Sequence, residues 1–178
     1  MKLAIILLII ILLGTLSLIF FVLYNKINYL FSKTKYSDDL IRKCLDNKQK
    51  LLVKLNGSIK KTLHAKKDYL VDINKIKEQE LSNEEKDEKL SEYTKTVKDL
   101  ISDYTKLSTN KNIKTQAKEL NEIDEKLDAY KTYFNKYMTE LSSNYVKFPT
   151  SLVAKLSKIK IKKLYHTNDT INKLNEEL

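Results

Sequence analysis

Residues 113–148, IKTQAKELNEIDEKLDAYKTYFNKYMTELSSNYVKF, set apolar side chains at Ile113, Ala117, Leu120, Ile123, Leu127, Tyr130, Phe134, Tyr137, Leu141, Tyr145 and Phe148. The steps are three and four, the spacing that returns a side chain to one face of an α-helix, and they persist over the whole stretch. Such a segment is a long helix with a coiled-coil-like seam that needs a partner surface. Leu90, Tyr93, Val97, Leu100, Tyr104 and Leu107 repeat the rhythm and supply a second helix with its own stripe. Further upstream, Ile41, Leu45, Leu52, Leu55, Ile59, Leu63, Leu70 and Ile73 are the expected core face of a first helix. Their spacing is less regular, so that helix is either buried over a wider angle or interrupted near Asn56 and Gly57.

Punctuation fits this reading. The chain has 178 residues but only two glycines, one proline and no tryptophan, so the turn residues that sheets and tight hairpins need are missing. Ser82 and Glu85 form an S-x-x-E capping box that starts a helix after a turn at residues 79–82. The stretch 107–112, LSTNKN, provides the second connection, and Pro149 ends the third helix because its ring disfavours a helical Phe148. Both connections read as short, which predicts antiparallel neighbours and sets Pro149 at the distal end, about 50 Å from the lipid by helix length. In the tail, Leu152, Val153, Leu156, Ile159 and Leu164 form an apolar side that would dock residues 150–165 on the bundle while the last few residues fray.

From Leu3 to Leu23 no charge occurs, and only Gly14, Thr15 and Ser17 interrupt the apolar run. At a rise of 1.5 Å per residue the run spans about 30 Å, the hydrocarbon thickness of a bilayer. It is too long for a signal-peptide core and runs into Phe20, Phe21, Val22, Leu23 and Tyr24 where a cleavage site would need small residues, so the anchor is expected to stay attached. Tyr24, Lys26 and Tyr29 suit a membrane interface. Lys26, Lys33, Lys35, Arg42 and Lys43 follow the span against Lys2 before it, which favours a single-pass protein of the cell membrane with its bundle on the cytoplasmic side. The expected fold is therefore all-α: a transmembrane anchor over 1–23, an elongated antiparallel bundle of three long helices over 24–149, and a partly docked C-terminal tail over 150–178.

The formal charge of +10 invites a polyanion. Yet 32 lysines and 14 asparagines against one arginine are also what codon usage in an AT-rich genome produces. The basic groups concentrate in 42–67 and 141–168, on either side of an acidic stretch over 72–105. Chemistry finds little to work with. His64 and His166 belong to no metal spacing and read as surface or interface residues. Cys44 alone makes no disulfide and reads as a small packed hydrophobe. The acids Glu84, Glu85, Asp87, Glu88 and Glu92, interleaved with Lys86 and Lys89, read as a solvated helix face with local pairs. Neither a glycine-rich phosphate loop nor a catalytic triad spacing is found. No catalytic, cofactor-binding or metal residue is assigned, and no cofactor is expected.

One family pattern does fit. The run Phe134-Asn135, Phe148-Pro149, Leu152-Val153-Ala154, Ile159-Lys160 and Tyr165 resembles the closing pattern of the bacterial LemA family, in which a Tyr-Asn repeat leads to Phe-Pro, an aliphatic-Ala pair, Phe-Lys and a final aromatic. Upstream, Asp124, Leu127 and Lys131 stand where the family has Glu, Ile and Arg, and Tyr24-Asn25 after the apolar run is similar to its opening Tyr-Asn. Leu141-Ser142 replaces the second Tyr-Asn, and residues 50–55 lack the proline of the family's Asp-Leu-Ile-Pro-Asn-Leu core. The resemblance implies a bacterial membrane protein with one N-terminal span and an elongated helical domain, and implies no established enzymatic activity. The expected function is thus non-enzymatic: a membrane-tethered interaction or scaffold protein, held in the bilayer by residues 3–23, whose helical faces take a protein partner or a second copy. The alternative is an anionic-surface binder acting on membrane lipid or nucleic acid through its basic helix faces, although nucleic acid is not an expected partner. No small-molecule substrate is evident.

Overall fold

Local hydrogen-bonding chemistry places most of the helix boundaries in the computed structural model, which describes residues 2–64, 69, 70, 73, 76, 81–157 and 159–167. Among the described residues five helices follow in order: α1 (Lys2–Leu63), α2 (Asn83–Asp103), α3 (Thr105–Ser108), α4 (Lys111–Val146) and α5 (Thr150–Leu156). No strand occurs among the described residues, so the chain is all-helical. The capping box is complete: Glu85 N–H donates to Ser82 Oγ at 3.2 Å, and Ser82 N–H donates to Glu85 Oε2 at 2.8 Å. That contact holds the Glu85 carboxyl below its ordinary range. At the start of α4, Asn110 Oδ1 accepts from Asn112 N–H at 3.0 Å and Ile113 N–H at 3.2 Å. α4 ends three residues before Pro149, and the Phe148–Pro149 peptide is cis.

α1 runs unbroken for 62 residues. The residues that compete with helical hydrogen bonding are satisfied inside it: Thr15 donates to the Leu12 carbonyl, Ser37 to Lys33, Ser58 to Lys54 and Thr62 to Ser58. Of the two readings of its irregular core face, the wider burial is the right one. Ile41, Leu45, Leu52, Leu55 and Ile59 are buried as expected, and so are Ser37, Cys44, Lys48, Gln49 and Asn56, while Leu63 is only half-buried. Lys60 and Lys61 suit the negative end of the helix dipole, and His64, in the left-handed region at φ 51°, ends the helical path. In contrast, residues 3–22 are exposed throughout, as a core helix would not be. α1 is the one helix among the described residues long and apolar enough to cross a membrane.

Two compact units divide the chain. Unit 1 comprises residues 1–37 and 133–164; unit 2 comprises 38–132 and 165–178. In unit 1 the Tyr29 ring meets Tyr137 edge-on at 6.4 Å, and Lys33 lies over Tyr29 while bonding Tyr133, and the electrostatic interaction and hydrogen bond with Tyr133 hold the ammonium above its ordinary pKa. Successive turns of α1 therefore meet preceding turns of α4, and the two run antiparallel. Ile27, Leu30, Phe134, Met138 and Leu141 are buried here, each contributing about 1.5–3 kcal/mol.

In unit 2, Cys44 donates to the Ile123 carbonyl and Asn110 to Thr62, so α4 again runs against α1. Asn83 donates to Asp38, whereas Lys86 reaches Asp46; α2 and α1 therefore point the same way. This corrects the expectation that all neighbours are antiparallel. α1 ends at Leu63 and α2 begins at Asn83, so the connection is not short but takes residues 64–82, long enough to bring the chain back to Asp38; the turn expected at 79–82 lies partly outside the described residues. The consequence for Pro149 is a second correction. It belongs to the same compact unit as residues 1–37, not to a distal end.

Side-chain expectations for the third helix hold along one row. Ile113, Leu120, Leu127, Phe134 and Leu141, each seven apart, are buried. The second row is Gln116, Lys131, Met138 and Asn144; Ala117, Tyr130, Tyr137 and Tyr145 beside it are half-buried, and Phe148 is 81% exposed. In the second helix Tyr104 caps the C-terminus and is exposed, and Thr94 takes a buried place. The tail docks on a different face from the one expected: Thr150, Val153, Ala154, Ile159, Tyr165 and Thr167 are buried, while Leu152, Leu156 and Leu164 are exposed. The expected fraying of the last residues lies outside the described residues.

Candidate functional site

Helical periodicity gathers charge inside unit 2. On α1 the buried steps run Ile41, Leu45, Lys48, Leu52, Leu55 and Ile59, so Lys48 occupies a core position. On α4, Asp124 and Lys131 are two turns apart and share a face; on α2, Asp87 lies one turn before buried Leu90. Lys48 Nζ, its side chain 3% exposed, pairs with Asp124 Oδ1 at 2.8 Å, and Lys98 Nζ reaches the other oxygen at 3.7 Å. Lys131 pairs with Asp87, both largely buried, and Lys86 with Asp46 at 2.5 Å. Three carboxylates and four ammonium groups thus join α1, α2 and α4.

Cys44 borders this belt. Burial pushes its thiol up in pKa, and the opposing charges of Lys48 and Lys126 do not reverse the shift, so it lacks the thiolate character of a nucleophile. Asp87 Oδ1 and Gln116 Oε1 are buried with no hydrogen-bond partner among the described residues. No group of three or more His, Cys, Asp or Glu able to hold a metal occurs among the described residues. Each carboxylate of the belt faces an ammonium, an arrangement that fixes helix partners and register more than it lowers free energy.

A second cluster joins the tail to α1. Tyr165 Oη donates to Asp38 Oδ1 at 2.9 Å, and Asn83 Nδ2 donates to the same oxygen at 3.2 Å. Burial first, then the Asp38 carboxylate, raises the Tyr165 phenol well above its ordinary range.

The positions singled out in the sequence separate between the units. Asp124, Leu127, Lys131 and Tyr165 fall in unit 2, where Asp124 and Lys131 are belt members, Leu127 is buried beside them in sequence and Tyr165 ties the tail to Asp38. Unit 1 holds the others: Phe134, Ala154 and Ile159 are buried, Asn135 is half-buried, and Tyr24, Asn25, Phe148, Pro149, Leu152 and Lys160 are exposed. The Tyr24 ring stacks on Phe20 at 6.5 Å. Lys48, Asp87, Asp46 and Lys86 escaped the sequence reading. Asp87 in particular is not part of a solvated face. The signal for Lys48 was present as the seven-residue gap between Leu45 and Leu52, which a helix face fills at residue 48. His64 and His166 are exposed and Cys44 is packed, as expected.

No curated protein and no solved structure is similar enough to the chain to match. A family model does match, over residues 38–176, beginning where unit 2 begins and including Asp124, Lys131, the Phe148-Pro149 corner and Tyr165. With well over half of its length matched, the chain belongs to the LemA family.

Proposed function

We propose that this protein is a non-enzymatic, membrane-tethered interaction or scaffold protein whose long helices present faces to a protein partner or a second copy. The observation that carries the reading is α1: its apolar first third is unburied and continues without a break into the helix that supplies much of the unit 2 core. In lipid those side chains need no protein cover. The charged groups inside unit 2 support the same reading, because they are committed to one another and not aimed at a substrate.

The span stays attached and the folded part faces the cytoplasm. Unit 1 contains eleven lysines and one acid, Glu140, while the remaining 22 basic and 22 acidic side chains balance in unit 2. Ten of those lysines follow the span in sequence, which suits the anionic cytoplasmic leaflet. Cross-linking in native membranes, followed by identification of the linked peptides, tests the function: repeatable links from unit 2 surfaces to one partner or to a second copy are expected, and their absence sinks the proposal. Mass spectrometry of the membrane fraction is expected to find residues 1–23 on the chain; a new N-terminus between residues 20 and 35 would remove the anchor.

A further inference from the structure

The corner between α4 and α5 carries apolar side chains that the protein does not cover. Val146 is 77% exposed, Phe148 81%, Leu152 57% and Leu156 70%. Leu152 and Leu156 are four apart on one face of α5, and the opposite face, Val153 and Ala154, is buried. Four bulky side chains this open, close together in sequence, mark a contact surface and not the scattered exposure of an ordinary helix. Between Leu141 and Asn168 the chain has six lysines and no acid.

Position identifies what covers them. α4 runs antiparallel to α1, with Tyr137 against Tyr29 and Tyr133 against Lys33. Carried along that register, the end of α4 at Val146 comes level with Phe20, in the last turns of the apolar run, and Phe148 follows two residues on. Corner and run lie in the same compact unit. That unit also carries the whole net charge of the molecule, eleven lysines against Glu140. A compositional lysine bias would have spread the excess over both units.

We propose that the α4–α5 corner is a second membrane contact: Val146, Phe148, Leu152 and Leu156 enter the headgroup region of the leaflet through which α1 emerges, and the surrounding lysines bind its anionic lipids. This rests on the reading of residues 3–23 as a membrane span. Apolar side chains at such a site reach about 5–10 Å into the boundary between headgroups and acyl chains. Nucleic acid would satisfy the lysines but would leave the apolar side chains in water.

Because the chain has no tryptophan, Phe148→Trp and Phe20→Trp each give full-length protein a single tryptophan, excited at wavelengths where the tyrosines do not absorb, at exposed sites where folding is not at risk. Both variants are reconstituted into phosphatidylcholine vesicles with and without phosphatidylglycerol, using acyl chains brominated near the headgroup. The Phe148→Trp emission is expected to shift to the blue and to be quenched by the bromines, more strongly in the anionic vesicles. Water-like, unquenched emission from Phe148→Trp beside quenched Phe20→Trp overturns the second contact and leaves the anchor standing. A blue shift without quenching overturns it in favour of a protein contact, and a response to added duplex DNA in place of lipid overturns it in favour of a polyanion site. If Phe20→Trp is itself unquenched, the anchor reading falls and the second contact with it.

Discussion

Unit 1 and unit 2 share two helices but not a way of holding together. Unit 1 combines an aromatic and aliphatic interior with lysines that have one acid, Glu140, to answer them. Unit 2 is balanced in charge and brings ion pairs into its interior, with Lys48 as enclosed as its leucine neighbours. The difference teaches where each unit gets its specificity. Apolar contacts in unit 1 are strong and tolerant of neighbours, whereas a buried ammonium in unit 2 accepts one arrangement of helices and penalises slippage.

The largest effect expected from this contrast is in unit 1. Phe134→Asp puts a carboxylate where a 1% exposed ring packs, which costs several kcal/mol or unfolds the protein, while Lys136→Asp on the exposed side of the same turn stays within about 0.5 kcal/mol. Equal melting temperatures for the two variants would show that apolar packing does not dominate there. In unit 2, Asp124→Leu leaves the Lys48 ammonium enclosed without its closest partner; because Asp124 is itself partly open to water, a loss near the lower end for buried pairs, about 3 kcal/mol, is expected by denaturant unfolding. Adding Lys48→Met is expected to recover most of it, and a double variant as unstable as the single one would mean that the pair does not act as a unit.

The Tyr165 contact gives a smaller, pH-dependent effect. Its folded pKa is raised above the ordinary 10.0 by burial and by Asp38, so the folded protein binds that proton more tightly than the unfolded chain. Its contribution is complete below pH 10 and is lost as pH rises beyond it. Tyr165→Phe is expected to cost about 1 kcal/mol at neutral pH and to flatten the alkaline decline in melting temperature; an unchanged decline would assign it to other groups. The smallest effect is a gain. A Cβ at Gly57 meets nothing within 4 Å, so Gly57→Ala should stabilise α1 by about 0.5–1 kcal/mol, and a loss would reveal a function for the glycine in unit 2.

What could be read in the sequence was what short-range chemistry encodes. Ser82 and Glu85 form their box because three residues separate them, and Ile113 through Leu141 fill one row because seven residues make nearly two turns. The direction of α2 was not legible, because it depends on how far the chain travels over residues 64–82, which no local spacing records. The inner positions of Lys48, Lys131 and Asp87 were hidden for another reason: a charge on an apolar face reads as a gap until its partner on another helix is known. Family resemblance had singled out Asp124 and Lys131, and the folded chain gives them a physical role as opposite charges anchored to different helices.

Ionic strength should act unequally along α1. Asp39 pairs in the open with Lys43 at 2.9 Å and Arg42 at 2.5 Å, contacts that hold its carboxyl below the ordinary range. Nine residues on, Lys48 meets Asp124 where mobile ions scarcely reach its ammonium. With a Debye length near 8 Å at about 0.15 M and near 3 Å at about 1 M, added salt dissolves the first cluster and leaves the second largely intact. A high-salt wash would thus release partners held by surface charge while unit 2 keeps its fold, so what remains on the membrane after the wash is held by apolar contact.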